Sequence, residues 1–346
     1  MIKNKLLISF ILIFFITSNI AIIPLRKKSA KSYNPPIKDP EIFIDIYKKN
    51  KSIEGTTIFA DFHNSKTTRI IEVNMNGEII WEYIIPAQLK RYTNPGFDVE
   101  WLPNNNILYV LPGNGVYEIN REGKIVWQYK TQKISHDADR LVNGNTLFCF
   151  GGGDNKNDPQ IQEVNEDGKV VWQWYAKNYF NKQPYNDISS QGWTHTNSVV
   201  RLDNENTLIS LRNFNLIIEV SQKGNIVWEF DIKAYGRNPH EPKILDNNNL
   251  IFACRVRKWD PIIEINRKTK NTVWSFSTKN FDLIRGVQPL PNGNYLLTGR
   301  NKIIEITKDK EIVWRLQMKN ILKEERPSTP KDSPENYLYK AERIVR

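Results

Sequence analysis

The feature that most constrains this chain is an internal repeat. Six segments align on a tryptophan: RIIEVNMNGEIIWEY (69–83), GVYEINREGKIVWQY (115–129), QIQEVNEDGKVVWQW (160–174), LIIEVSQKGNIVWEF (216–230), PIIEINRKTKNTVWSF (261–276) and KIIEITKDKEIVWRL (302–316). Each is an alternating run, a polar turn and a second alternating run, which is the pattern of a β-hairpin. The anchors Trp81, Trp127, Trp172, Trp228, Trp274 and Trp314 recur every 40 to 56 residues, the period of propeller blades. Between them lies a second hairpin type: FDVEWLPNNNILYVL (97–111), HDADRLVNGNTLFCF (136–150), NSVVRLDNENTLISL (197–211), HEPKILDNNNLIFAC (240–254) and RGVQPLPNGNYLLTG (285–299). Its Asn, Asp and Gly turns tolerate positive φ. Two successive hairpins make a four-stranded antiparallel blade.

The chain ends supply closure. The N-terminal unit has three strands, in TTIFADF, RIIEV and IIWEY, and the C-terminus offers a lone one, whose AERIV (341–345) matches ADRLV (138–142). The last strand therefore completes the first blade, which removes an exposed sheet edge. The expected fold is all-β: a six-bladed β-propeller over 53–346, closed by the C-terminal strand joining the N-terminal blade.

Ahead of it, Lys3 and Lys5 precede an apolar run from Leu6 to Ile23, and Arg26, Lys27 and Lys28 follow. Residues 1–28 read as a hydrophobic signal or anchor segment, with an uncleaved membrane anchor favoured because no small-residue cleavage site follows. Residues 29–52, with Pro35, Pro36 and Pro40, read as a linker. The net charge of +11 suits an anionic partner, but no nucleic-acid module accompanies it, so nucleic acid is not expected. Two cysteines, Cys149 and Cys254, are too few for a disulfide scaffold and read as buried thiols.

The repeat also separates structure from chemistry. Residues present in every copy build the fold, including the glutamates Glu72, Glu118, Glu163, Glu219, Glu264 and Glu305. Take as ruler the Leu before each Asn-rich turn (Leu102, Leu141, Leu202, Leu245, Leu290, and Ile344 in the closing strand). Five residues earlier stand Phe97, His136, Asn197, His240, Arg285 and Tyr339. These open the innermost strands and line one mouth of the central channel. His195 lies two before Asn197, on the same strand face. Ten residues after the ruler come Pro112, Gly151, Arg212, Arg255 and Arg300, back at the same rim. Three of the four histidines and four arginines thus converge on one mouth; His63 aligns more loosely near the same end. Guanidinium forks at a concave rim match the oxygens of sulfate, phosphate or carboxylate. Histidine alone leaves nucleophile, general base and metal ligand open. Trp193 is a candidate wall for an aromatic substrate or a packed rim residue.

At this point the motifs resemble those of the bacterial arylsulfate sulfotransferases. The matching stretches are GTTIFADF with IIEVNMNGEIIWEY, HDADRLVNGNTL, HTNSVVRLDNENTLISLRNFNLIIEV and HEPKILDNNNLIF, within residues 52 to 346. The resemblance implies transfer of a sulfuryl group from a phenolic sulfate to a phenol without a nucleotide donor, through a transiently sulfurylated histidine and with no cofactor. Carried across, it makes His240 the nucleophile. His195, Asn197 and Arg212 hold and neutralise the sulfuryl oxygens, and His136 is a further pocket histidine. It also implies a propeller outside the cytoplasm and a small anionic aromatic substrate. This chain departs from the family in two respects. Only a short segment precedes the propeller, and Ala253-Cys254-Arg255 stands where those enzymes carry Asp-Asn-Gly; Arg255 and Arg300 enlarge the anion site or fill it, and Arg285 is a further candidate to bind the substrate.

Two other readings stay open on the sequence. A non-catalytic membrane-anchored propeller binding an anionic ligand or a protein partner at the mouth needs the same arginines and no nucleophile. A zinc site of His136, His195 and His240 is the other, though no Asp or Glu shares their repeat position.

Overall fold

The computed structural model describes residues 30–61, 68–93, 97–187, 191–256, 260–279, 281, 283–319 and 338–345. His63 and the segment 1–28 lie outside them; among the described residues no helix is long and apolar enough to cross a membrane. Six antiparallel sheets form the blades of a propeller. The innermost strands are Ala341–Ile344 (blade 1), Val99–Trp101 (blade 2), Ile134–Arg140 (blade 3), Thr196–Arg201 (blade 4), Arg237–Ile244 (blade 5) and Gly286–Pro289 (blade 6). Closure is as the sequence predicts: Ala341–Ile344 pairs antiparallel with Thr56–Asp61, in the register Ala341 to Phe59 and Ile344 to Thr56.

The repeated residues form a latch between each blade and the next. Every anchor indole donates to a backbone carbonyl of the neighbouring blade: Trp81 to Arg121, Trp127 to Glu166, Trp172 to Gln222, Trp228 to Arg267, Trp274 to Lys308 and Trp314 to Met75. The repeated glutamate pairs with a cation of that same neighbour: Glu72 with Arg121, Glu118 with Arg140, Glu163 with Arg201, Glu219 with Arg267, Glu264 with Lys308 and Glu305 with Arg343. Five of these cations are arginines, and each lies over the anchor ring at 4.2 to 5.1 Å, contributing about 0.5–2 kcal/mol apiece beyond the ion pair. The Asn-rich turn finishes the motif. Asn106, Asn145, Asn206, Asn249 and Asn294 each donate to the glutamate of their own blade. Apolar side chains pack between adjacent blades, as where Leu147, Cys149 and Ile161 of blade 3 meet Val199, Ile209 and Ile218 of blade 4.

The linker expected at 29–52 is corrected by the structure. Lys31–Ile37 pairs with Ile79–Ile84 as a fifth, outermost strand of blade 1, and Ile42–Tyr47 pairs with Ile312–Met318 as a fifth strand of blade 6. The prolines misled because they are compatible with a strand that lies at a sheet edge. Arg69, bonded to Asp39 at 2.5 Å, Asp61 at 2.8 Å and Glu82 at 3.1 Å, fastens this strap. Among the described residues, the two blades that meet at the seam of the ring are thus the two with a fifth strand on the outer edge.

Inside the channel, carboxylates and an amide tie neighbouring inner strands. Glu342 accepts the Trp101 amide, Glu100 that of Arg140, Asp137 that of Val199 and Gln288 that of Arg343. Lys340, on the closing segment, reaches Asp137, Asp98 at 3.2 Å and Glu241 at 3.0 Å, binding three other blades to the seam. A cavity of about 210 Å³ lies among these groups, and burial raises the carboxyls of Asp139 and Glu342 to about 7. Cys149 and Cys254 are buried free thiols.

Candidate active site

The mouth of the channel is where the regular ladders break. Register irregularities fall between Ile134 and Ala138, between Thr196 and Ser198, and on both sides of His240. His195, Asn238 and Glu241 have φ of 46°, 55° and 48°, the left-handed region that costs a non-glycine residue about 1–3 kcal/mol. Bulges of this kind re-aim side chains. Here they turn imidazoles from three consecutive blades into one cluster.

His136 Nε2 stands 3.1 Å from His195 Nε2, and Arg212 Nη1 stands 2.7 Å from the same His195 nitrogen. His195 Nδ1 lies 2.5 Å from the Gln191 carbonyl. A carbonyl only accepts, so Nδ1 carries the hydrogen and Nε2 presents its lone pair to Arg212. His240 repeats the arrangement one blade on. Its Nδ1 donates to the Asn238 carbonyl at 2.7 Å, and its Nε2 lone pair meets Arg285 Nη1 at 3.0 Å. Tyr339, from the segment that closes the ring, spans the two, its ring centroid 5.2 Å from that of His136 and 6.3 Å from that of His240. Asn197 joins blade 4 to blade 5 by donating Nδ2 to the Pro239 carbonyl at 2.8 Å. Its Oδ1 is buried and, among the described residues, has no hydrogen-bond partner.

The electrostatics hold both imidazoles neutral. Burial, then Arg212 and His136, pushes His195 well below the usual histidine value; burial, then Arg285 and Arg212, does the same for His240. A buried neutral imidazole with its Nε2 lone pair beside a guanidinium has the chemistry of a nucleophile or a base.

Of the residues singled out from the sequence, His136, His195, Asn197, Arg212, His240 and Arg285 meet here. Arg255 and Arg300 lie apart from the imidazole contacts described: Arg255 stands 4.0 Å from Asp260, and the Arg300 carbonyl accepts the Leu338 amide. Trp193 as a substrate wall is corrected. It is 0% exposed, its indole donates to the Tyr185 carbonyl, and its ring packs edge-on against Phe214 at 5.4 Å. With Phe180, Tyr185 and Phe214 it forms a packed aromatic cluster, and full burial leaves no face for a substrate. Among the described residues, no three His, Cys, Asp or Glu side chains stand where they would share a metal ion.

Sequence reasoning missed Asp154, which sits directly behind His195, and Lys340. Neither occupies a repeat position that the ruler marks as a rim residue. Asp154 lies in GGGDNKND (151–158), an insertion in the blade 3 hairpin whose only sequence signal is the run of glycines.

Solved structures with this architecture include a protein of unknown function from Bacteroides caccae (TM-score 0.59, 17% identity, 83% of this chain and 98% of that one). Another is virginiamycin B lyase from Staphylococcus aureus (TM-score 0.51, 16% identity, 79% of this chain and 88% of that one). At these identities the likeness shows the fold alone. No curated protein matches the chain. The family model described as Arylsulfotransferase (ASST) matches residues 44–249, more than half of the chain, and its span includes His136, His195, Asn197, Arg212 and His240. The chain belongs to the arylsulfotransferase family.

Proposed function

We propose that this protein moves a sulfuryl group from a phenolic sulfate ester to a phenolic acceptor through a sulfohistidine at His240. The observation that carries the reading is the Nε2 lone pair of His240, kept free of a proton by the Nδ1 bond to Asn238 and faced by Arg285. In the first half-reaction His240 Nε2 attacks sulfur, the S–O(aryl) bond breaks, and the phenolate leaves with the bonding pair. The adduct keeps its Nδ1 hydrogen on the Asn238 carbonyl. Arg285 and Arg212 offset the charge on the sulfuryl oxygens, as fixed cationic donors do in a dry site. In the second half-reaction His195 Nε2 takes the acceptor phenol's proton. The phenolate then attacks sulfur and frees His240. His195 then returns that proton to solvent, from which the phenolate released in the first half-reaction takes its own, so the turnover balances.

The acceptor and donor occupy the same mouth in turn, so the kinetics are ping-pong. We propose that the propeller lies outside the cytoplasm, as the resemblance to the exported arylsulfate sulfotransferases implies, tethered through the apolar run of residues 6–23. The test is an assay with several aryl sulfates and a phenol acceptor. Phenol release with sulfated acceptor supports the reading; no transfer from any donor sinks it.

A further inference from the structure

We infer that Asp154 is a positioning residue that acts through His195, a role that rests on the assignment of His195 to the reaction. Asp154 belongs to blade 3, whereas His195 enters blade 4, and the carboxylate spans that gap. It is 1% exposed. Its Oδ1 accepts the His195 amide at 3.1 Å; its Oδ2 accepts the Thr194 amide at 3.1 Å, the Thr194 hydroxyl at 2.7 Å and the Gln160 side-chain amide at 3.3 Å. Its own backbone carbonyl takes the Trp193 amide at 2.8 Å. Three successive amides, those of residues 193 to 195, therefore point at one residue.

That convergence explains a conformation the chain would not adopt alone. His195 has φ of 46°, and a left-handed non-glycine residue persists only where its surroundings over-determine it. From the other side Asn213 donates to the carbonyls of Gly192 and Trp193, and its amide donates to that of Thr194. The turn is gripped on both faces, and the grip sets where His195 Nε2 meets Arg212. Space at the grip is tight. A Cβ on Gly192, which has φ of 105°, would run into Asp154 Oδ1 and the Gly151 carbonyl, and one on Gly151 would come within 2.5 Å of the Ser135 hydroxyl. A longer acid has no room.

The experiment is a double-mutant cycle on the full chain with Asp154→Asn and His195→Ala. Asparagine keeps the shape and removes acceptor capacity. Asp154→Asn is expected to lower kcat for aryl-sulfate turnover about 10- to 100-fold, with donor KM within about threefold, and Asp154→Glu is expected not to restore it. In the His195→Ala background the same change is expected to have no further effect, because its route is gone. An equal loss in both backgrounds overturns the proposal. A second readout needs no activity: long-range 1H–15N spectra of the imidazoles. Asp154→Asn is expected to shift the His195 ring nitrogens, while Trp228→Phe, a latch change of similar size, leaves them in place. Unshifted His195 signals in Asp154→Asn overturn the inference even if the protein proves inactive on every sulfate ester. Shifted signals in a protein without transfer activity uphold the positioning and reject only the sulfotransferase reading.

Discussion

The outer latches and the inner mouth of this propeller use the same residue types for opposite ends. Six glutamates and six cations repeat around the ring, each pair joining one blade to the next beside a tryptophan or tyrosine ring. At the mouth the blades differ: Phe97, His136, Asn197, His240, Arg285 and Tyr339 stand at one repeat position, and only histidine occurs there twice. Uniformity marks what holds the fold together, and difference marks where chemistry is housed. The glutamate–arginine pairs satisfy one another's charge. At the mouth Arg212 and Arg285 instead approach the Nε2 atoms of imidazoles held neutral.

That contrast predicts opposite phenotypes. The largest effect is expected at His240: His240→Ala loses at least about a thousandfold in transfer, with a melting temperature close to that of the wild type, as steady-state assays and calorimetry would read. Arg212→Met and Arg285→Met are each expected to lower kcat about a hundredfold. Arg285→Met carries a pH signature. On the proposed mechanism the neutral form of His240 is the active one, and its value is held below the usual 6.5 by burial and then by Arg285. Activity in the wild type should therefore persist below pH 6.5 and fall only as pH drops through that depressed value. Removing Arg285 should move the acid limb of kcat/KM upward in pH; an unmoved limb separates Arg285 from His240. At the latches the pattern reverses. Trp228→Ala is expected to cost about 2–4 kcal/mol in urea unfolding while leaving turnover at 25 °C near normal.

The mildest test uses one repeat position in two settings. Val227 on the outer strand of blade 4 is 54% exposed, whereas Val313, its equivalent in blade 6, is 0% exposed beneath the strap. Val227→Thr should change stability by less than about 0.5 kcal/mol, and Val313→Thr should cost about 1–3 kcal/mol. Equal costs would mean that the strap leaves blade 6 as open as blade 4.

The blade count, the seam and the rim were legible because a propeller writes them six times: an alternating pattern, a turn and an anchor at fixed spacing. The histidines and Arg212 stood out by breaking that repetition. The strap did not, since Pro35 and Pro36 resemble loop punctuation until an adjacent sheet edge is known to await them, while Pro40 does sit in the turn between the two edge strands. Trp193 shares its neighbourhood with His195 in sequence, but the left-handed turn at His195 sends the indole inward and the imidazole to the mouth. Asp154 meets His195 across 41 residues through backbone amides, and no side-chain pattern announces an acceptor for amides.

The most direct test of the central claim is mass analysis of the protein quenched in alkali after mixing with an aryl sulfate and no acceptor. The account predicts one added sulfuryl group on the peptide bearing His240, lost on addition of a phenol. Phenol release with no adduct, or an adduct on His136 or His195 instead, would contradict it.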